Sequence, residues 1–128
     1  MTKLLNGLLW ALGLLFVLLG LRWLIDPQAA AETLGMALSE GVGRSSQIGD
    51  FGAFFFTGGL WVLLGVWRKA PVFLYIAATT LGSAALFRLI AWAAQGAALT
   101  VDMIAVEVVI AAILLLAAQL YSRLDATR

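Results

Sequence analysis

The sequence contains no cysteine and no histidine, has only two prolines, and carries charge at just 12% of its 128 positions. Each shortage closes off a class of chemistry. Without Cys or His there is no thiol nucleophile, disulfide, structural zinc, iron–sulfur cluster, axial haem histidine, imidazole base or Ser-His-Asp triad. Any metal would have to be a hard cation held by oxygens, and neither a metal nor another cofactor is expected. Soluble domains carry about 25% charged residues, so a chain with half that share cannot cover a water-facing surface. What fills the space is apolar: 63% of the residues are hydrophobic and the mean hydropathy is +1.03. The composition is that of an integral membrane protein. Its eight basic and seven acidic residues form no basic stripe, so nucleic acid is not an expected partner.

The fold expected is all-α: a single four-helix transmembrane domain over residues 1–128, with helices at about 4–25, 48–67, 71–94 and 102–122. The run Leu4 to Ile25 is interrupted only by Asn6 and Arg22 and is long enough for a hydrocarbon core of about 30 Å. A signal peptide competes for this segment, because Lys3 precedes it and Ala29-Ala30-Ala31 offers a cleavage site. The apolar run is longer than an h-region, which favours a retained helix. Pro71 suits the first turn of the third helix, Gln95-Gly96 its end, and Thr100 with Asp102 the start of the fourth.

Lys3, the Arg68-Lys69 pair, Arg123 and Arg128 fall on one side of this topology, and the loops on the other side hold only Arg44 among acids. The positive-inside rule then makes both termini cytoplasmic. Trp67, Tyr75 and Tyr121 fall at the inner interface by depth, Trp23 and Trp92 at the outer. Between the first two spans, Asp26-Pro27 reads as a helix start, and Ala30, Leu34, Ala37 and Leu38 recur at helical spacing until Gly41 and Gly43. This pattern predicts a short amphipathic helix at about 27–40 lying on the outer surface; an ordinary solvated connector is the alternative. Small residues mark packing surfaces: Asn6, Trp10, Gly13, Val17 and Gly20 in the first span, Gly58 and Gly65 in the second, and Thr79 to Ala85 in the third.

Four ionisable residues lie inside the spans, Arg22, Asp50, Arg88 and Glu107, all within roughly 3 to 9 Å of the outer helix ends at 1.5 Å per residue. Two bases and two acids balance, as buried charges in a low-dielectric bundle must. Arg88 and Glu107 each stand alone in an apolar helix and sit on neighbouring antiparallel spans, so a direct pair is expected. One reading is structural, with Arg88–Glu107 and Arg22–Asp50 fixing helix register. The other is a ligand pocket, apolar below from Phe51, Phe54, Phe55 and Trp92 and charged at its mouth, suited to an amphiphile. Proton or ion translocation fits less well, because the inner half of the bundle holds no second carboxylate and no broken helix pair.

The stretch Arg44 to Thr57, then Leu86-Phe87-Arg88-Leu89-Ile90, Gln95-Gly96 and Val106-Glu107-Val108, resembles a group of small bacterial four-helix membrane proteins known only as a domain of unknown function. There is a more distant likeness, in topology, to DoxX-like four-helix membrane proteins, some of which hold lipophilic ligands near intramembrane acids. The resemblance implies a multi-pass protein of the bacterial inner membrane and lends no activity. Unlike multidrug transporters of similar size, the first span here has no acidic residue. The expected function is therefore non-enzymatic: an accessory subunit or lipid- or lipophile-binding module. A small transporter or membrane enzyme using Glu107 as acid or base and Arg88 as anion clamp is the alternative. Expected partners are membrane lipid or a small lipophile, and a larger membrane complex or further copies of the chain.

Overall fold

The structure, a computed structural model, describes residues 2–128. The described residues contain helices and no strands, in the order α1 (Thr2–Ile25), α2 (Pro27–Thr33), α3 (Gly41–Ser46), a π-helical turn (Gln47–Phe51), α4 (Gly52–Arg68), α5 (Pro71–Gln95) and α6 (Val101–Ala126). Four helical stretches, Thr2–Ile25, Gly41–Arg68, Pro71–Gln95 and Val101–Ala126, are long and apolar enough to cross a membrane. Even the shortest, at 24 residues, reaches about 36 Å at 1.5 Å per residue. The chain is a multi-pass membrane protein by length and composition of these helices. It divides into two compact units, Met1–Leu63 and Leu64–Arg128.

In the first unit α1 and α4 run antiparallel with their backbones close together. A Cβ built on Gly59 would lie 2.6 Å from both the Gly13 carbonyl oxygen and the Val17 nitrogen, and one on Gly20 would lie 2.5 Å from the Phe56 nitrogen. Only glycine allows such an approach, which is how membrane helices gain dispersion contact where lipid offers no hydrophobic drive. Gly13, Val17 and Gly20 thus pack as expected for α1. On α4 the seam is formed by Gly52 and Gly59 rather than Gly58 and Gly65. Gly58 makes only ordinary contact with Phe16, and Gly65 packs on Leu74 within the second unit.

The segment between α1 and the second spanning stretch departs from the expected 27–40 helix. Its start is as predicted, with Asp26 Oδ1 accepting from the Ala29 N–H at 3.2 Å and Pro27 at the first helical position. Its end comes early, at Thr33. Gly35 adopts φ +73, its N–H donates to the Glu32 carbonyl and the Met36 N–H to the Ala31 carbonyl, both at 2.9 Å. This is a Schellman stop, and Leu34, Met36 and Leu38 then pack on Trp23, Ala30 and Ala31 without continuing the helix. The glycines read as breakers instead open α3, so the second stretch begins at Gly41 rather than at 48. Gly41 turns the chain with φ +54, and a Cβ on Gly43 would meet Ser39 at 2.8 Å.

The irregular segment 36–40 has its peptide groups met by side chains. Gln47 Oε1 accepts from the Ser39 N–H at 2.7 Å while Gln47 Nε2 donates to the Ala37 carbonyl at 3.1 Å. Arg44 Nε donates to the Ser39 carbonyl at 2.8 Å. Below it, Trp23 is buried at 1% exposure and stacks on Phe51 with ring centroids 5.5 Å apart. It is therefore a core residue and not the membrane-interface anchor expected, because α2 folds back over it.

In the second unit α4 ends with Lys69 in the left-handed region at φ +50, where the Ala70 N–H reaches back to the Gly65 carbonyl at 3.0 Å. Pro71 then opens α5, which ends at Gly96 with φ +68. The α5–α6 hairpin buries Leu74, Ala77, Ala78, Leu81 and Ala85 on one helix and Ala111, Leu114, Ala117, Ala118 and Tyr121 on the other. The spacing of three and four is that of an alanine-rich seam. The expected small-residue band of α5 is only partly in it. A Cβ on Gly82 would meet nothing within 4 Å, and Thr79 and Thr80 donate back to the Tyr75 and Ile76 carbonyls of their own helix.

Candidate functional site

Arg88 and Glu107 continue the buried seam of the α5–α6 hairpin toward its loop. Arg88 is one heptad beyond Leu81, and Glu107 is one heptad before Leu114. The antiparallel register that brings the first pair level also brings the second level. At 1.5 Å per residue both charges lie about 10 Å inside their helices, measured from Gln95 and Val101. They form the expected ion pair. Arg88 Nε donates to both carboxylate oxygens, at 2.9 Å to Oε1 and 3.2 Å to Oε2.

The geometry is lopsided. Glu107 is the better covered partner, with its side chain 13% exposed against 32% for Arg88. The guanidinium spends one N–H on the carboxylate, and among the described residues its terminal amino groups Nη1 and Nη2 bond nothing. Four further N–H donors therefore remain on a cation whose charge is already matched. On the same two helices Leu86, Phe87, Leu89, Ile90 and Trp92 of α5 are exposed, as are Val106, Val108 and Val109 of α6. A polar head within reach of Nη1 and Nη2 would have apolar helix surface for its tail.

The other expected site residues lie in the first unit, with the exception of Trp92, which is half exposed on α5. Arg22 does not pair with Asp50. Its Nη1 donates to Thr33 Oγ1 at 3.2 Å, and that hydroxyl donates to the Ala29 carbonyl at 3.0 Å. The early stop of α2 places its last residue beside the end of α1, so Arg22 finds a hydroxyl eleven residues on. Asp50 is exposed on the π-helical turn, and among the described residues the single ion pair is Arg88–Glu107. Phe51, Phe54 and Phe55 are half-buried and belong to an aromatic set. Phe51 stacks on Trp23, Phe55 meets Phe16 edge-on at 5.9 Å, and Phe54 meets Phe55 edge-on at 5.2 Å.

Two polar residues of the structure, Thr33 and Gln47, have no place in the sequence reading. Both tie segments together, and Thr100 Oγ1 is buried with no hydrogen-bond partner among the described residues. Thr100 was expected to cap α6; it occupies the cap position, but its side chain makes no cap bond. Gln47 carries the one available signal, a long amide just before an apolar run, which sequence alone cannot aim. Among the described residues no three carboxylates group closely enough to hold a hard cation. No family model matches the sequence, and neither a curated protein nor a solved structure matches the chain.

Proposed function

We propose that this chain is a non-enzymatic membrane module that binds lipid or another small lipophile at the Arg88–Glu107 pair, alone or as an accessory subunit of a larger membrane complex. One observation carries the reading: an ion pair inside two membrane-spanning helices engages only Nε of the arginine and leaves the terminal amino groups open. A pair whose only task was to lock helix register would gain most by burying the whole guanidinium in bonds. In hydrocarbon an unmet donor is costly, so an acceptor from lipid, ligand or water completes the site. The same proposal places the termini in the cytoplasm, from Lys3, Arg68, Lys69, Arg123 and Arg128. It also includes the bacterial inner membrane and kinship with the small four-helix family, both of which rest on the short motifs around Arg44, Arg88 and Glu107.

Native mass spectrometry of gently solubilised protein tests the reading. A discrete lipid or lipophile mass is expected on the wild-type chain and its loss is expected in Glu107→Ala. A wild-type chain that flies bare under conditions preserving other lipid complexes would overturn the proposal. Because Glu107→Ala strands a cation, the apolar double variant Arg88→Met/Glu107→Leu is the second arm; replacing a buried pair by apolar residues of similar size is often neutral or stabilising.

A further inference from the structure

We infer that the head group held at Arg88 is an uncharged hydrogen-bond acceptor, a carbonyl oxygen of an ester- or ketone-bearing lipophile, and not an anion. The inference rests on the lipophile-binding reading above and names its chemical class. Arg88 already has its counter-charge, because the Glu107 carboxylate sits on Nε through both oxygens at 2.9 and 3.2 Å. The pair is electrically neutral within helices that span the membrane. An added carboxylate or phosphate would leave a net negative site about 10 Å inside the helix ends, with a second acid close by and no other base on α5 or on α6 before Arg123.

Burying an uncompensated charge is far more costly than burying a satisfied dipole. A carbonyl oxygen has two lone pairs and no charge, so it can take N–H bonds from Nη1 and Nη2 without disturbing the balance. Glu107 then acts as a positioning residue. By engaging Nε it fixes the plane of the guanidinium and so the directions in which the terminal amino groups can donate. The ligand's tail lies against the exposed faces of Phe87, Ile90 and Val106. The carbonyl has two conceivable sources, the ester linkages of the bilayer or a free lipophile dissolved in it.

The test uses the full chain in nanodiscs built from ether-linked phosphocholine lipids, which lack ester carbonyls. Dioleoylglycerol, its dioleyl ether analogue and oleate are added in competition, and retained masses are counted after native ejection. The wild type should retain the ester over the ether on the order of tenfold, the ratio one charge-assisted hydrogen bond supports, and oleate should not displace it. The preference should fall to parity in Arg88→Met/Glu107→Leu. It should also fall in Arg88→Lys, which keeps a cation for Glu107 but lacks the planar fork that holds separate donors toward the carbonyl. Equal retention of ester and ether, an ester preference that survives in the double variant, or displacement by oleate would each overturn the inference while leaving lipophile binding intact. Retention of none of the three probes would overturn binding itself. Repeating the wild-type arm in ester-linked nanodiscs assigns the source: bilayer esters that fill the site abolish the added diacylglycerol signal, and a free-lipophile site keeps it. Either result supports carbonyl recognition.

Discussion

Two adjacent glycines on α4 should respond to the same substitution in opposite directions. A Cβ at Gly59 would stand 2.6 Å from the Gly13 carbonyl oxygen and the Val17 nitrogen, both main-chain atoms of α1, whereas one at Gly58 would stand 3.7 Å from a Phe16 ring carbon. Backbone cannot swing aside, so Gly59→Ala must push α1 and α4 apart by about 0.8 Å to restore ordinary contact distance. A gap of that size forfeits a quarter to a half of each pair's attraction of 0.1–0.2 kcal/mol; over about 40 atom pairs, as many as one buried leucine makes, the loss is about 2 kcal/mol. Alanine's better helix propensity returns up to about 1 kcal/mol. The net expectation is a loss of about 1–2 kcal/mol for Gly59→Ala and a gain of up to about 1 kcal/mol for Gly58→Ala. Reversible unfolding of the two variants in mixed micelles, by denaturing detergent with helical circular dichroism as readout, measures the difference. If Gly59→Ala were as stable as Gly58→Ala, the close backbone approach of α1 and α4 would be refuted.

The remaining expectations concern turns and charges. Lys69 holds φ +50 where a β-carbon is strained, so Lys69→Gly should stabilise the α4–α5 corner by about 1 kcal/mol in the same assay. Asp26→Ala removes the α2 cap and should cost about 1 kcal/mol, visible as faster amide exchange over residues 27–33 with little change in α5 and α6. Arg88→Ala and Glu107→Ala should each cost about 2 kcal/mol, less than a fully buried pair because Arg88 is one-third exposed, and the double variant should cost less than their sum. Strict additivity in that cycle would mean that the pair contributes no coupling.

Long apolar runs made the four spans legible from composition alone, because an unbroken apolar run of about 20 residues meets its own backbone hydrogen bonds in lipid only as a helix. The Arg88–Glu107 pair was legible for a related reason: each is the one charge in the apolar run of its helix, and a short loop joins the two antiparallel helices. Where two choices had equal spacing, the sequence could not decide. Gly52 and Gly59 are seven apart, as are Gly58 and Gly65, and which pair faces α1 depends on where Gly13 and Gly20 lie in space. Gly35, Gly41 and Gly43 show the same ambiguity. A glycine signals a conformation that other residues avoid, and that conformation ended α2 at Gly35 but opened α3 at Gly41. Arg22 was misassigned because its partner Thr33 is an uncharged hydroxyl, a signal that charge counting does not register.

Gln47 stands in for one residue of a missing β-strand. Its side-chain amide offers the segment at 37–39 one acceptor and one donor in the sense that a neighbouring peptide group would. The position therefore tolerates only a side chain that is at once donor and acceptor at that reach. Glutamate keeps the shape and loses the bond to Ala37, lysine keeps the reach and loses the bond to Ser39, and asparagine has the chemistry but is one methylene short. A single side chain thus acts as a length gauge, holding α3 at one fixed distance from the segment before it.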